Sequence, residues 1–161
     1  MTIRSVTQGD AEKIAALYNH YVINTIITFE EDRVSANEMA TRIRSVTASH
    51  PWIVFEEAGA LTGYAYAVNW HSRPAYRHSV ETTIYVAPDQ YRKGIGRALY
   101  DALLAELRDR GFHSAIGGVS LPNDASAALH ERLGFEKVAH LKEVGQKFGA
   151  WVDVGYWQLL L

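Results

Sequence analysis

The 161 residues include no cysteine, which excludes disulfides, thiolate zinc sites, iron–sulfur clusters and a covalent cysteine intermediate together. No run approaches the ~20 apolar residues that a membrane helix needs. The opening MTIRSVTQGD also lacks the apolar stretch of a signal peptide. Both absences predict a cytoplasmic protein with no membrane partner. Neither sign of charge is in real excess: sixteen Lys+Arg against eighteen Asp+Glu leave a formal net charge of −2. That balance offers no field for nucleic acid, which needs a clustered basic surface. The four prolines stand singly at 51, 74, 88 and 122, and no linker, repeat or low-complexity tract divides the chain. The seven histidines show no metal-ligand spacing, so no metal is expected. The length suits one domain, residues 1–161, which can bury close to 70% of its unfolded surface without staples.

What is present reads as strands and helices in mixture. Ile3–Val6 opens as a strand, and Thr7 or Asp10 can cap a helix carrying Ile14, Leu17, Tyr18 and Tyr21. Residues 24–31 are β-branched and loop-like, and Ser35 caps a second helix with Met39, Ile43 and Val46. The period then shortens to that of strands at Trp52–Glu56, Leu61–Asn69 and Ser79–Val86. Ile95, Leu99, Leu103 and Leu107 make the apolar stripe of a helix over 95–110. A strand at Ala115–Ser120, a helix at Asp124–Leu133 and strands at Phe135–Leu141 and Val152–Leu161 follow. This order predicts a mixed α/β (α+β) fold, a sheet flanked by helices.

The segment richest in chemistry is Val86-Ala-Pro-Asp-Gln-Tyr-Arg-Lys-Gly-Ile-Gly-Arg97, which joins a strand to a helix. Free amides at a helix N-terminus, with the positive dipole end there, suit phosphate oxygens. Gly94 and Gly96 let a ligand approach the backbone around Ile95, and Arg92, Lys93 and Arg97 add positive charge. It is not a dinucleotide fingerprint, because the third glycine would fall at Leu99, and no Gly-Lys-Ser/Thr ending makes it a Walker loop. Taken alone, the glycines also fit an ordinary solvated turn.

With its preceding strand, the segment resembles the acyl-CoA pyrophosphate loop of the GNAT N-acetyltransferase superfamily, Gln/Arg-x-x-Gly-x-Gly/Ala. Tyr91 stands where that pattern has Gln or Arg. Further stretches narrow the resemblance to phosphinothricin N-acetyltransferases and their methionine sulfoximine-acetylating relatives. They are Tyr18-Asn-His-Tyr-Val22, Thr28-Phe-Glu-Glu31, Arg73-Pro-Ala-Tyr76, Leu121-Pro-Asn-Asp-Ala-Ser126, Leu129-His-Glu-Arg-Leu-Gly-Phe135 and Val144-Gly-Gln-Lys-Phe-Gly149. Ala150 departs from the arginine often found before the tryptophan, here Trp151. The resemblance implies the GNAT fold, with a central, mostly antiparallel sheet whose strands part to admit acetyl-CoA. It also implies acetylation of an amino-acid-like α-amine, a detoxifying or resistance role, and a homodimer. Tyr156-Trp157 and Leu159–Leu161 offer apolar surface for such a dimer.

Acetyl transfer needs a base, because an α-ammonium is mostly protonated at neutral pH. Glu81 lies among Val80, Thr82, Thr83 and Ile84, an unusual place for a carboxylate unless it serves a site or pairs with a charge. The resemblance makes it the catalytic glutamate. His130 can give a proton to the departing thiolate or take one from the amine, or it can be a helix histidine packed on the sheet. The resemblance assigns the pantetheine arm to backbone groups of Ile84, Tyr85 and Val86 and to Asn123, which also reads as a helix cap. It assigns the acceptor to Arg73-Pro74-Ala75 and to Glu81-Thr82-Thr83; the loop around Phe29 can supply another wall. Arg77 suits a carboxylate or phosphinate, and equally an ordinary surface arginine. The rival readings are acetylation of a polyamine or a protein N-terminus, and a non-catalytic acyl-CoA sensor.

Overall fold

The strand-like segments assemble into one seven-stranded sheet in the computed structural model, which describes residues 1–161. Its strands are β1 (Thr2–Ser5), β2 (Trp52–Glu57), β3 (Ala60–Asn69), β4 (Ser79–Val86), β5 (Ser114–Leu121), β6 (Glu136–Lys147) and β7 (Ala150–Leu160). They lie in the order β1-β2-β3-β4-β5-β7-β6. Every neighbouring pair is antiparallel except β4 and β5. Helices α1 (Ala11–Asn24) and α2 (Ala36–Thr47) cover one face; α3 (Ile95–Asp109) and α4 (Asp124–Arg132) cover the other. The mixed, mostly antiparallel sheet expected from the sequence is therefore observed.

Because both faces are covered, the central strands are apolar almost throughout. In β2, Ile53 and Phe55 pack beneath Leu99, Leu103 and Leu107 of α3, while Trp52 and Val54 meet Ile14, Val22 and Ile43 of α1 and α2. Two hairpin turns close on paired positive-φ residues, Ala58-Gly59 (49° and 80°) and Phe148-Gly149 (51° and 75°). That backbone matches the right-handed twist of the strands it joins. Ser35 caps α2 by accepting from the Glu38 amide at 3.1 Å, as its sequence context predicts. A single 3-10 turn, Gln8–Asp10, precedes α1. There the Asp10 carboxylate accepts from the Thr7 amide and hydroxyl and from the Arg4 guanidinium.

Two expectations hold only in part. The strand expected over 135–141 continues to Lys147, past a bulge between Leu141 and Gly145 where Glu143 has φ +50°. The bulge breaks the two-residue period, and the exposed Lys142 and Glu143 within it hide the strand. The apolar end of β7 is only partly the free face expected: Leu160 is 63% exposed, but Trp157 is 2% exposed in the core, and Tyr156 turns into a cleft. Further exposed apolar side chains lie at Val138, Val144, Phe148 and Trp151, on the β6–β7 hairpin.

At the end of α2, His50 stacks on Phe112 at 5.4 Å, with Nε2 buried and unpartnered. Burial holds its pKa below the usual histidine value. The unfolded chain therefore takes up this proton at higher pH than the native state, and the native state loses stability as pH falls below about 6.5. The urea midpoint is expected to fall between pH 7 and pH 5, and less steeply in His50→Phe. Equal slopes would show that His50 does not contribute.

Candidate active site

The site arises where one ladder ends early. β4 and β5 pair only at Ser79↔Ser114, Val80↔Ala115 and Glu81↔Ile116. Beyond that point β4 stays with β3 as far as Val86, and β5 stays with β7 as far as Leu121. The two halves of the sheet diverge and leave a cleft of about 270 Å³. Bonds at its two ends, Ser79 O from Trp70 and Ala87 N to Thr62, fix the alternation of β4. By that alternation the backbone groups of Thr83 and Tyr85 face β3, while those of Thr82, Ile84 and Val86 face the opening. Of the three residues expected to offer backbone groups to a ligand arm, Ile84 and Val86 can do so. Tyr85 is turned the wrong way and contributes its ring to the wall.

Glu81 lies at the floor of the cleft, half-buried, with no hydrogen bond or ion pair to its carboxylate. Desolvation raises its pKa above the usual carboxylate range, and His71 opposes this. Its neighbours leave it room. A β-carbon on Gly118 would stand 3.5 Å from Glu81 Oε1 and 3.1 Å from the Tyr156 ring. Tyr156 meets Trp70 edge-on at 5.5 Å, Trp70 meets His71, and His71 meets Tyr76. This aromatic string runs from the cleft to the turn Arg73-Pro74-Ala75. All three turn residues are exposed and none lines the cleft. Arg77 holds the turn by donating to the Pro74 carbonyl at 3.1 Å. No Lys or Arg lines the cleft itself.

The opposite wall is the loop before α2. Ile27, Thr28 and Phe29 line the cleft, so the wall expected around Phe29 comes from the same chain. Phe29 lies on Gly145, where a β-carbon would come within 2.3 Å of the ring. Lys147, which the sequence presents as an ordinary lysine, is 1% exposed and donates to the Thr28 carbonyl at 2.7 Å. It ties the loop to β6.

On the α3 face, Thr82 is buried and reaches Tyr100 at 3.2 Å and the Ile116 carbonyl at 3.3 Å. Its single hydroxyl proton can serve either of these two acceptors. Tyr100 in turn bonds His130 Nε2 at 2.9 Å, and His130 Nδ1 lies 2.7 Å from the Ser126 carbonyl. A carbonyl can only accept, so Nδ1 carries the proton, and Nε2 of the neutral ring accepts from Tyr100. Burial lowers the His130 pKa, against the Ser126 carbonyl, which raises it. His130 therefore lines the cleft wall as a ring whose neutral form burial favours, with its Nδ1–H held by the Ser126 carbonyl. Tyr100 was hidden in the apolar stripe of its helix. The available signal was a polar-tipped ring beside Leu99, since a buried tyrosine hydroxyl needs a partner.

At the top of the cleft, Gly94 (φ +81°) starts α3, and Arg92 also takes a left-handed conformation at +63°. The Ile95 and Gly96 amides at this helix start are free for an anion. Gly96 has a second reason to be glycine, because a β-carbon would approach Leu129 to 3.3 Å. Arg97 pairs with Asp101 at 2.8 Å and Lys93 bonds Gln90 at 2.8 Å, so Arg92 keeps the least engaged charge of the three. Asn123 lines the cleft and also caps α4, its Oδ1 accepting from Ser126 N at 3.1 Å. Both roles read from the sequence are compatible, since its Nδ2 remains free.

A divided sheet of this kind, opening beside a helix start, defines an acyltransferase of the GNAT class. The sequence profile described as "Acetyltransferase (GNAT) domain" matches residues 3–155, and the chain belongs to that family. It is 41% identical over 162 residues to the L-amino acid N-acyltransferase MnaT of Escherichia coli K12, covering 100% of this chain and 94% of that one. It is 38% identical to the L-methionine sulfoximine/L-methionine sulfone acetyltransferase of Salmonella typhimurium, covering 100% and 95%. Among solved structures, a phosphinothricin acetyltransferase from Sinorhizobium meliloti in complex with acetyl-CoA superposes with a TM-score of 0.96 at 38% identity, covering 99% and 88%. A ribosomal-protein-alanine N-acetyltransferase from Brucella melitensis superposes at 0.98 with 36% identity, covering 100% of both chains.

Proposed function

We propose that this protein transfers the acetyl group of acetyl-CoA to the α-amine of a small amino-acid-like acceptor such as phosphinothricin, methionine sulfoximine or methionine sulfone. The observation that carries the reading is Glu81, an unpaired, desolvated carboxylate on the floor of a cleft with one open strand edge. The residues fit the co-substrate. Ile84 and Val86 offer edge amides, Asn123 offers its free Nδ2, and the Arg92–Arg97 turn offers amides and charge to the pyrophosphate. Acetyl-CoA supplies the activated acetyl group. Glu81, ionised, takes a proton from the acceptor ammonium, directly or through water, and so frees the lone pair for attack. With no cysteine nucleophile, direct transfer in a ternary complex is the simpler route.

His130 acts as an acceptor that fixes Tyr100 and Thr82 at the point where the strands divide. The anionic end of the acceptor is met at the mouth by Arg73, since the cleft has no cation of its own. Phe148, Trp151 and Val144 supply the apolar face of a cytoplasmic homodimer. A second reading, acetylation of a protein N-terminus, is favoured by the likeness to the Brucella enzyme.

Thiol release from acetyl-CoA separates these readings when acceptors are ranked by kcat/KM. The set is the twenty amino acids, the sulfoximine, the sulfone, phosphinothricin, spermidine and an alanine-starting peptide. Free amino-acid analogues are expected at least ten-fold ahead. Turnover confined to the peptide or to spermidine would replace the reading, and tight CoA binding with no turnover of any amine would leave a sensor.

A further inference from the structure

Tyr21 and Tyr91 are 70 residues apart, yet their hydroxyls lie 2.7 Å from each other, and the Tyr21 hydroxyl also donates to the Val86 carbonyl. A phenol has one proton and a carbonyl has none, so the direction is fixed: Tyr91 donates to Tyr21, and Tyr21 donates to Val86. Tyr21 is 3% exposed and packed against Tyr85 at 4.9 Å. Tyr91 is 49% exposed. The chain of bonds thus joins three parts: the last turns of α1, the open edge at the end of β4, and the first residue of the basic glycine turn. Tyr91 immediately precedes Arg92, one of the two left-handed residues of that turn.

We infer that Tyr91 and Tyr21 form a clasp that sets the position of the Arg92–Gly96 turn against the end of β4, making both tyrosines positioning residues for the CoA pyrophosphate. The inference rests on the acetyl-CoA reading above. Two consequences follow. One lone pair of the Val86 carbonyl is already taken, so on this residue the amide is the group left wholly free for the pantetheine arm. The turn, whose own side chains are largely exposed, takes its register from a buried ring on another element rather than from a side chain within the turn.

The test uses the full chain and two probes, CoA and S-acetylpantetheine, the second of which lacks the nucleotide and pyrophosphate. Calorimetric Kd for CoA is expected to rise about three- to ten-fold in Tyr91→Phe, the scale of one neutral hydrogen bond. In the same variant, kcat/KM for S-acetylpantetheine is expected to stay within two-fold of wild type. Because Tyr91 acts through Tyr21, the Tyr21→Phe/Tyr91→Phe variant should bind CoA no more weakly than Tyr21→Phe alone. Unchanged CoA affinity in Tyr91→Phe would overturn the clasp, as would equal losses on both probes or additive losses in the double variant. Wild-type protein that binds no CoA would overturn clasp and acetyl-CoA reading together. Clasp-dependent CoA binding without turnover of any amine would overturn the transferase reading alone.

Discussion

Glu81→Gln lowers kcat by about 10²- to 10⁴-fold, the range of a positioned general base, and changes the KM for acetyl-CoA by less than three-fold. The pH profile gives the sharper signature. Burial lifts the Glu81 pKa, and only the ionised form accepts a proton. The wild-type rate therefore rises with pH through that raised value, and the acid limb of kcat/KM disappears in the variant. Stability moves the other way. A carboxylate whose native pKa lies above its unfolded value destabilises the native state once pH exceeds the unfolded value, near 4.3. Glutamine removes that charge, so the variant should melt at or above the wild-type temperature at pH 7, the usual trade of stability against activity at a site. A variant that loses both activity and several degrees of Tm would make Glu81 a structural residue instead. One that retains turnover would end its assignment as base.

What the sequence disclosed was local. Glu81 stood out because a carboxylate in an apolar strand demands a reason, and Gly94 because glycines between a strand and a helix let a ligand approach the backbone. The Ser35 cap and the α3 stripe follow from helix geometry in the same way. What stayed hidden depends on partners distant in the chain. The cleft exists because the parallel β4–β5 ladder stops at Glu81↔Ile116, and nothing within either strand alone announces where pairing ends. Tyr100 was invisible because its hydroxyl finds Thr82 and His130 only after α3 and α4 dock. Lys147 looked like a surface lysine because its acceptor, the Thr28 carbonyl, lies 119 residues away. Arg73 shows a different limit of local reading. A motif can be adjacent to a site in sequence and still sit on an exposed turn outside the cleft wall.

The adjacent glycines 117 and 118 separate two functions of the same strand, and Gly117→Ala is the more damaging change. Its β-carbon would fall 2.3 Å from His130 Nε2 and 2.8 Å from Cδ2, distances that require a group to move. The ring has little freedom to yield: Nδ1 is held by Ser126 and Nε2 by Tyr100, and Phe135 packs edge-on at 5.1 Å. Overpacking costs about 1–3 kcal/mol. A buried Tyr100 hydroxyl left without its acceptor costs about 1–3 kcal/mol more. The expected fall in Tm is on the order of 10 °C, readable by calorimetry at pH 7. Removing the obstacle should restore part of it: Gly117→Ala/His130→Ala is expected to be less destabilised than the two single changes summed, by at least about 1 kcal/mol. Strict additivity would mean that the ring and the glycine are not opposed. Gly118→Ala behaves differently, because its β-carbon meets the Tyr156 ring at 3.1 Å and Glu81 Oε1 at 3.5 Å. Tyr156 is only half-buried and can swing aside, so that variant keeps most of its stability and loses turnover. The two glycines therefore hold the two faces of the divided sheet to different tasks, Gly117 admitting the ring that fixes Tyr100 and Gly118 keeping the base unobstructed.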